Sequence, residues 1–201
     1  MPHHLYLVRH GEQLDAEHGM PDGPLSPRGR RQAELLAERL GGIPFDHTWH
    51  SPLQRAAETA KIMAGKLPAL DPEPSALLFD CVPSGPGPDT PTAYAPFFGS
   101  YSEIDFEAGQ AQMSDARAEF LSSHREDRHD LLITHNFVIG WFVREVLGAP
   151  EWRWVTINQA NCGLTVLTQR APGRPWSLVV HNDLAHLPPE LRTGLPDPYA
   201  L

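Results

Sequence analysis

The stretch LYLVRHGEQ, residues 5–13, places four apolar residues directly before an arginine, a histidine and a glycine. Short continuous apolar runs are typical of strands buried in a parallel sheet, although periodicity alone does not exclude a short helical segment. A second run, LLIT at residues 131–134, is followed at once by His135. The sequence therefore predicts two buried strands that each run into a histidine.

Two segments between these strands carry helix start signals. Residues 26–42 begin with Ser-Pro and end in Gly-Gly, and residues 51–65 begin with Ser-Pro. In the second segment Gln54 lies three residues after Ser51, a spacing that predicts a capping box. Apolar residues recur at helical spacing in both segments, and Arg55 lies off the apolar stripe of the second.

The rest of the chain continues the alternation of strands and helices. Helices are expected from Glu103 to about Leu121 and from about Phe137 to Leu147, and residues 162–169 and 176–180 are expected to form an antiparallel hairpin. The fold class predicted from this order is α/β, a three-layer sandwich with a mainly parallel sheet. Ligands bind beyond the carboxyl ends of the strands in such folds.

Composition narrows the possible classes of protein. The 201 residues suit a single domain covering 1–201, and a formal net charge of −9 argues against nucleic acid or an anionic membrane as the partner. The two cysteines, Cys81 and Cys162, form neither a disulfide framework nor a CxxC metal pattern. No apolar run is long enough to span a membrane or form a signal-peptide core, so a cytoplasmic location is expected.

Proline marks the irregular parts of the chain. Residues 68–102 are rich in Pro, Gly, Ser and Thr. This segment is longer than an ordinary loop between two secondary-structure elements. We expect an ordered active-site loop at about 80–102. A second Pro-rich segment, from about 184 to 201, is expected to form a C-terminal tail on the surface.

Four side chains in this layout suit phosphoryl chemistry. His10 and His135 follow the two buried strands, while Arg9 and Arg55 supply fixed positive charge. Guanidinium groups clamp phosphate oxygens in pairs, and a neutral imidazole nitrogen can attack phosphorus. The helix that begins after His135 adds backbone N–H donors, among them that of Asn136. The sequence has no GxSxG, HExxH or GxxxxGK[ST] motif.

Four ordered segments resemble the histidine phosphatase superfamily, in the branch that contains the cofactor-dependent phosphoglycerate mutases. The RHG of LYLVRHGEQ resembles the first family motif. PLSPRGRRQA (24–33), SPLQRAAETA (51–60) and LLITHN (131–136) resemble the next three. The run ALLFDCVPSGPGP (76–88) is similar in outline to that of the mitochondrial serine/threonine phosphatase subgroup. The resemblance implies a phosphoglycerate mutase-like fold.

The resemblance also implies residue roles. His10 matches the histidine that becomes phosphorylated, and Arg9, Arg55 and His135 match the phosphate pocket. Asp80 stands where the family carries its proton donor, with Glu73 and Asp89 as alternative acids. Charge neutralisation by Arg9, Arg55 and a protonated His135 would require no metal and no cofactor.

The expected function is hydrolysis of phosphate monoesters through phosphohistidine at His10. The substrate is expected to be a phosphorylated small molecule or a phosphoprotein, and a homodimer is possible. Two alternatives stay open from sequence: a phosphoglycerate mutase-type phosphotransferase, and a phosphate-recognition module without turnover. The Gly-Glu-Ser and the Trp- and Glu-bearing segment of true mutases are absent from the sequence, which disfavours the mutase.

Overall fold

The fold is described by a computed structural model, which covers residues 1–15 and 22–195. Its strands are β1 (His3–Arg9), β2 (His47–His50), β3 (Pro72–Pro74), β4 (Arg128–Thr134), β5 (Leu164–Gln169) and β6 (Trp176–Asp183). Its α-helices are α1 (Pro27–Leu40), α2 (Gln54–Lys66), α3 (Ala95–Phe98), α4 (Glu103–Phe120) and α5 (Asn136–Leu147). Short 3₁₀ turns lie at Ala76–Leu78, Thr92–Tyr94, Glu151–Thr156 and Pro189–Leu191.

The strands form one sheet in the order β3-β2-β4-β1-β5-β6. The first four of these are parallel to one another, β5 is antiparallel to β1, and β6 is antiparallel to β5. Strand β1 therefore lies in the interior of the sheet, between β4 and β5. The prediction of an α/β fold with a mainly parallel sheet is confirmed, and so is the antiparallel hairpin.

Hydrophobic residues pack on both faces of this sheet, because successive side chains of a strand point to opposite faces. Leu5 and Leu7 of β1 belong to a core that contains residues of α4 and α5. Val8 belongs to a second core that contains residues of α1 and α2. The arrangement is the expected three-layer sandwich.

The two helix starts predicted from Ser-Pro differ in the structure. Ser26 caps α1, since its side chain accepts a hydrogen bond from the backbone N–H of Gly29. Helix α2 instead begins at Gln54, two residues later than predicted, and has Leu53 at its N-cap position without a side-chain cap. The predicted capping box is therefore wrong, because the Ser51 hydroxyl accepts from the backbone N–H of Leu53 rather than that of Gln54, and also from His135 at 2.8 Å.

The expected active-site loop is built around a buried tryptophan. Trp154 is fully buried and donates from its indole Nε1 to Ser84 Oγ over 2.9 Å. Phe97 and Phe98 of α3 contact the same indole edge to face, with ring centroids 6.0 Å away in each case. The middle of the 80–102 segment thus packs on the core, and only its two ends reach the site described below.

The C-terminal segment does more than cover the surface. Leu184 and Leu187 are buried in the second core, and the backbone oxygen of Gly194 contacts Arg9. Residues 196–201 of the predicted tail lie outside the described residues. Among the helices of the described chain, none has the length and apolar character that a membrane span requires.

Candidate active site

The two strand-end histidines meet at the carboxyl edge of the sheet. Strands β1 and β4 are parallel neighbours, with Arg9 paired to Thr134, so the residues that follow them are adjacent. The imidazole centroids of His10 and His135 lie 5.1 Å apart, and both residues are buried. Parallel pairing of two hydrophobic strands is therefore what assembles the centre of the site.

The hydrogen bonds of His10 define its tautomer. Nδ1 lies 2.7 Å from the backbone oxygen of Gly11, so it carries the hydrogen and donates it. Nε2 is then the nitrogen with the lone pair, and it accepts from Arg55 Nε at 3.1 Å. Burial lowers the pKa of His10 well below 6.5, and Arg9 and Arg55 lower it further. His10 is accordingly neutral, the form in which an imidazole is nucleophilic.

Arg55 connects the titratable groups of the site. The first turn of α2 aims its guanidinium into the site, and its side chain is buried. In addition to His10, Nη2 contacts Asp80 Oδ2 at 2.9 Å and His135 Nδ1 at 3.2 Å. Nη1 contacts Asp22 Oδ1 at 3.2 Å. The fork geometry of arginine is what allows one side chain to reach all four residues.

His135 differs from its expected protonation state. Its Nε2 lies 2.8 Å from Ser51 Oγ, and Nδ1 faces Arg55. Burial lowers the pKa of His135 well below 6.5, with His10, Arg55 and Arg9 lowering it further. The expectation of a protonated His135 is wrong for the free site. His135 is neutral there and donates from Nε2 to the Ser51 hydroxyl.

Asp80, the predicted proton donor, lies beside His135. Its Oδ2 lies 3.7 Å from His135 Nδ1, and 41% of its side-chain surface is open to the adjoining cavity. The surrounding protein still removes enough water to raise the pKa of the carboxyl, while Arg55 and Arg9 act in the opposite direction. Of the alternative acids, Glu73 lines a separate cavity and Asp89 is exposed on the loop.

Arg9 is held by backbone oxygens rather than by carboxylates. Its Nη1 donates to the oxygens of Gln159, at 2.6 Å, and Gly194, at 2.7 Å. Its Nε is buried and has no hydrogen-bond partner among the described residues. Burial lowers the pKa of Arg9 to about 10, which still leaves it charged at neutral pH. A buried unpaired N–H on a cation is a donor available to an anion.

Asn136 uses its side chain locally. Its Nδ2 donates to Asn158 Oδ1 at 3.1 Å, and its Oδ1 accepts from the backbone N–H of Gln159 at 2.6 Å. The residue is the first of α5, whose N-cap, His135, makes no side-chain capping bond. Because the side chain is engaged in these bonds, only the backbone N–H of Asn136 is available for a phosphate, which is the group predicted from the sequence.

Sequence reasoning missed several residues that shape the site. Asp22 Oδ2 accepts from the backbone N–H of Gln54 at 2.9 Å, so a residue distant in sequence caps α2. Thr59 Oγ1 accepts from the backbone N–H of Gly11 and donates to the backbone oxygen of Arg55. The helical spacing from Arg55 to Thr59 was a usable signal, whereas Asp22 lies in no recognisable pattern.

The loop that carries His10 packs directly against α1. A Cβ on Gly29 would lie 2.1 Å from the backbone oxygen of Glu12, and one on Gly11 would lie 2.6 Å from the oxygen of Gly29. Neither approach leaves room for a side chain, so both positions require glycine. This main-chain contact holds the loop that carries His10 against α1.

A cavity of about 540 Å³ opens beside these residues. Arg55 and Asp80 form its inner end, next to His10 and His135. Its remaining walls come from the start of α2, both ends of the 80–102 segment, α4 and α5. A phosphate at the inner end would meet Arg55, a neutral imidazole and an acid, with the buried Arg9 close enough to affect the pKa values of His10 and Asp80 and with space beside it for a leaving group.

Comparison with known proteins supports the same chemistry. The model of the histidine phosphatase superfamily (branch 1) matches residues 5–79 and 91–184, which leaves Asp80 outside the match. The serine/threonine-protein phosphatase Pgam5, mitochondrial, of Caenorhabditis elegans is 34% identical over 193 residues, covering 92% of this chain. The human PGAM5 phosphatase is 30% identical over 194 residues, covering 93% of this chain. The chain spans 64% of the length of each of these two relatives.

Solved structures agree on the fold. Bacillus stearothermophilus YhfR has a TM-score of 0.72 at 22% identity, over 91% of this chain and 98% of its own. A phosphoserine phosphatase from Entamoeba histolytica has a TM-score of 0.68 at 22% identity, over 92% and 99%. These neighbours confirm the phosphoglycerate mutase-like fold. The expected cytoplasmic location is contradicted, because the curated relatives above are mitochondrial proteins by name.

Proposed function

This chain belongs to the histidine phosphatase superfamily, and from that premise we propose that it hydrolyses phosphate monoesters through a phosphohistidine at His10. The observation that carries the proposal is the state of His10. Its Nδ1 is committed to the Gly11 backbone oxygen, so its Nε2 presents a lone pair in a pocket with two arginines. A buried neutral imidazole between fixed cations favours attack on a phosphate dianion over protonation.

The first half-reaction transfers the phosphoryl group. Phosphate oxygens accept hydrogen bonds from the guanidinium of Arg55 and from the unpaired Nε of Arg9. Because Arg55 then no longer donates to His10, Nε2 of His10 is free. Nε2 attacks phosphorus, and the bond to the leaving oxygen breaks with its electron pair on that oxygen. The protonated carboxyl of Asp80 donates its proton to the same oxygen, so the product is a neutral alcohol.

The second half-reaction restores the enzyme. A water molecule attacks the phosphorus of phosphohistidine, and its proton passes to the Asp80 carboxylate. The N–P bond breaks with its electron pair on His10 Nε2, and inorganic phosphate leaves. The negative phosphate raises the pKa of His135, so this imidazole can share a proton with a phosphate oxygen while the anion is bound.

The substrate is a phosphorylated small molecule or a phosphoprotein. The names of the relatives support this range, since the worm and human proteins are serine/threonine-protein phosphatases and the amoebal structure is a phosphoserine phosphatase. We place the whole activity in one catalytic domain, residues 1–201, with 80–102 as its active-site loop. Asp80, Arg9, Arg55, His135 and the backbone of Asn136 carry the roles described above.

Trapping of the intermediate tests the proposal. The pure protein is mixed with ³²P-labelled phenyl phosphate for milliseconds and quenched in alkali, where phosphohistidine survives. We expect acid-labile label on His10, steady release of inorganic phosphate, and neither in His10→Ala. Bound phosphate with no release would instead identify a recognition module. Label passed to a sugar acceptor without release of phosphate would identify a mutase.

A further inference from the structure

We propose that the cavity beside Asp80 selects leaving groups that are apolar and neutral or positively charged, and rejects leaving groups that carry a second anion. This inference rests on the proposed phosphatase function and names the substrate class of the same site. Its evidence is the composition of the cavity walls.

The walls are apolar on most sides. Side chains of α2, the active-site loop and α5 contribute aromatic and aliphatic surface: Leu53, Phe79, Val82, Tyr101 and Phe137. Phe79 keeps 36% of its surface exposed and lies beside the other apolar residues of the wall. Gln112 adds a polar side chain to the wall, but its amide donates to the backbone oxygens of Leu77 and Phe79. The apolar part of the wall suits an organic leaving group.

Positive charge is confined to the inner end. Arg55 is the single Lys or Arg among the described residues that line the cavity. The pairs with Asp80 and Asp22 commit it to the inner end. The sequence explains this distribution, because residues 67–116 contain eight acidic residues and no Lys or Arg. The segments outside the described ranges, 16–21 and 196–201, also contain no Lys or Arg.

Negative charge lies further out on the wall. Asp105 of α4 lines the cavity, and hydrogen bonds from Ser102 lower the pKa of its carboxyl. It is therefore ionised at neutral pH. A leaving group with a carboxylate or a second phosphate would meet this charge and find no counter-ion. A neutral or cationic group with an apolar body is complementary to the wall.

Helix α4 can approach so closely because it carries a glycine. A Cβ on Gly109 would lie 1.8 Å from the backbone oxygen of Val82, so the helix and the loop touch through their main chains. Ala108, its neighbour, is exposed and lines the cavity. Position 108 is consequently a place where a longer side chain can enter the cavity without disturbing this contact.

The test compares three esters whose leaving alcohols have similar acidity. They are benzyl phosphate, 4-carboxybenzyl phosphate and 4-(aminomethyl)benzyl phosphate. We expect kcat/KM for the carboxylated ester to be about tenfold or more below that of benzyl phosphate, equivalent to about 1.4 kcal/mol. The aminomethyl ester should match or exceed benzyl phosphate. Equal kcat/KM values for all three would overturn the inference while leaving the phosphatase function intact, whereas no turnover of any ester would overturn the function.

Two variants with a matched control sharpen the test. Ala108→Lys should raise kcat/KM for the carboxylated ester relative to benzyl phosphate several-fold at low salt, and the gain should shrink as salt screens it. Asp105→Asn should move the ratio in the same direction. Ala118→Lys adds the same charge to the exposed side of α4, ten residues away, and should leave the ratio unchanged. An equal shift in Ala118→Lys would attribute the effect to net charge and refute the cavity's role.

A second, independent inference concerns the opposite end of the sheet. We infer that His4, His129 and Asp127 form a binding site for a divalent transition metal ion such as Zn²⁺. His4 and His129 are directly paired across the parallel strands β1 and β4, and their rings stack 4.7 Å apart. One ligand atom from each of the three residues lies within 4.8 Å of the others.

Hydrogen bonds hold both imidazoles through the nitrogen that would face away from a metal ion, and one ring must turn out of the stack for both Nε2 lone pairs to reach the same ion. His4 Nδ1 lies 3.0 Å from Thr168 Oγ1, and His129 Nδ1 lies 3.1 Å from the Tyr6 hydroxyl. With the hydrogen on Nδ1 in each ring, both Nε2 atoms keep their lone pairs, and that of His129 faces Asp127 at 3.9 Å. Metal-binding histidines are oriented in this way by partners of the other nitrogen. Two imidazoles and a carboxylate suit Zn²⁺, with water completing the coordination.

Titration of the full chain with ZnCl₂ tests this site. His10→Ala removes one active-site histidine, and isothermal calorimetry of this variant is expected to show that Zn²⁺ still binds. Adding His4→Ala or His129→Ala should weaken that binding at least tenfold. Tyr6→Phe, which removes only the orienting hydroxyl, should weaken it about tenfold. His47→Ala is the control at the same end of the sheet and should change nothing. Unchanged zinc affinity in both single-histidine variants would refute the site.

Discussion

Arg55 Nε donates a hydrogen bond over 3.1 Å to His10 Nε2, the nitrogen proposed to attack phosphorus. In the free site the nucleophile is therefore covered by the cation that also binds the substrate. Arrival of a phosphate exchanges this bond for contacts between Arg55 and phosphate oxygens. Binding of the phosphate and release of the His10 lone pair are then a single event.

Arg55→Lys should lose most activity although it keeps the charge. A lysine ammonium cannot reach His10, Asp80 and His135 from one planar group as the guanidinium does. We expect kcat/KM for phenyl phosphate to fall about 10²-fold or more, the usual scale for losing a charge-stabilising donor. Arg39→Lys, at an exposed ion pair with Asp183, should retain wild-type activity. Near-normal kinetics of Arg55→Lys would show that positive charge alone suffices.

Asp80→Asn should damage alkyl phosphates more than aryl phosphates. An alkoxide needs a proton as it leaves, whereas p-nitrophenolate does not, and an amide cannot supply one. Phosphoryl transfer from benzyl phosphate should slow about 10²-fold or more, and transfer from p-nitrophenyl phosphate much less. Pre-steady-state bursts of released alcohol or phenol measure this step. Equal losses on both esters would make Asp80 a positioning residue.

The pH profile of kcat/KM should report the two shifted groups. Burial and the two arginines lower the pKa of His10 well below 6.5, so His10 stays neutral and activity should be retained as the pH falls through 6.5. The pKa of Asp80 is raised, so the acid form persists to higher pH and activity declines as pH rises through that value. This alkaline decline should be absent from Asp80→Asn on the same ester. A profile of identical shape in the variant would assign the decline to another group.

Asp22 should contribute to both stability and activity. Asp22→Ala removes the cap of α2 and should cost about 1 kcal/mol of unfolding free energy. Asp22→Asn keeps an oxygen for the Gln54 N–H but loses the charge that faces Arg55. Its thermal midpoint should stay near wild type while kcat/KM changes. If both substitutions lowered the unfolding free energy equally, the hydrogen bond to the Gln54 N–H would not be the cause, and Asp22 would not be a helix cap.

Turnover should persist in EDTA, because Arg9 and Arg55 supply the positive charge that phosphoryl transfer requires. Vanadate should inhibit by occupying the same guanidinium contacts in five-coordinate form. The measurement is the release of phosphate from phenyl phosphate before and after chelation. A loss of activity that Mg²⁺ restores would contradict the proposed charge distribution.

The sequence predicted the centre of the site because its signals are local. Strands β1 and β4 are apolar runs that end in histidines, and their parallel pairing is enough to bring His10 and His135 together. For Arg55, helical periodicity predicts only a position off the apolar stripe of its helix, whereas the resemblance implies a place in the phosphate pocket. The structure buries it because Asp22, Asp80 and the imidazoles satisfy its donors.

What the sequence did not predict depends on contacts between distant segments. Strand β2, HTWH, has one large apolar residue, and the edge strand β3, Pro-Glu-Pro, lacks two backbone N–H groups, so neither follows a strand pattern. Ser51 has the sequence context of a helix cap, but its hydroxyl is shared between the backbone N–H of Leu53 and the imidazole of His135. Such competition between a local and a tertiary partner is not visible in a motif.

The position of β1 inside the sheet has a consequence for biosynthesis. Translation delivers β1 first, yet its partners are residues 128–134 and 164–169. At the usual 5–20 residues per second, the nascent strand waits on the order of 10 s with both edges unpaired. The hydrogen bond from Arg9 to the backbone oxygen of Gly194 spans 185 residues. Arg9 therefore lacks this support until residue 194 has left the ribosome, and β1 stays an unpaired apolar strand until its two neighbours have been made.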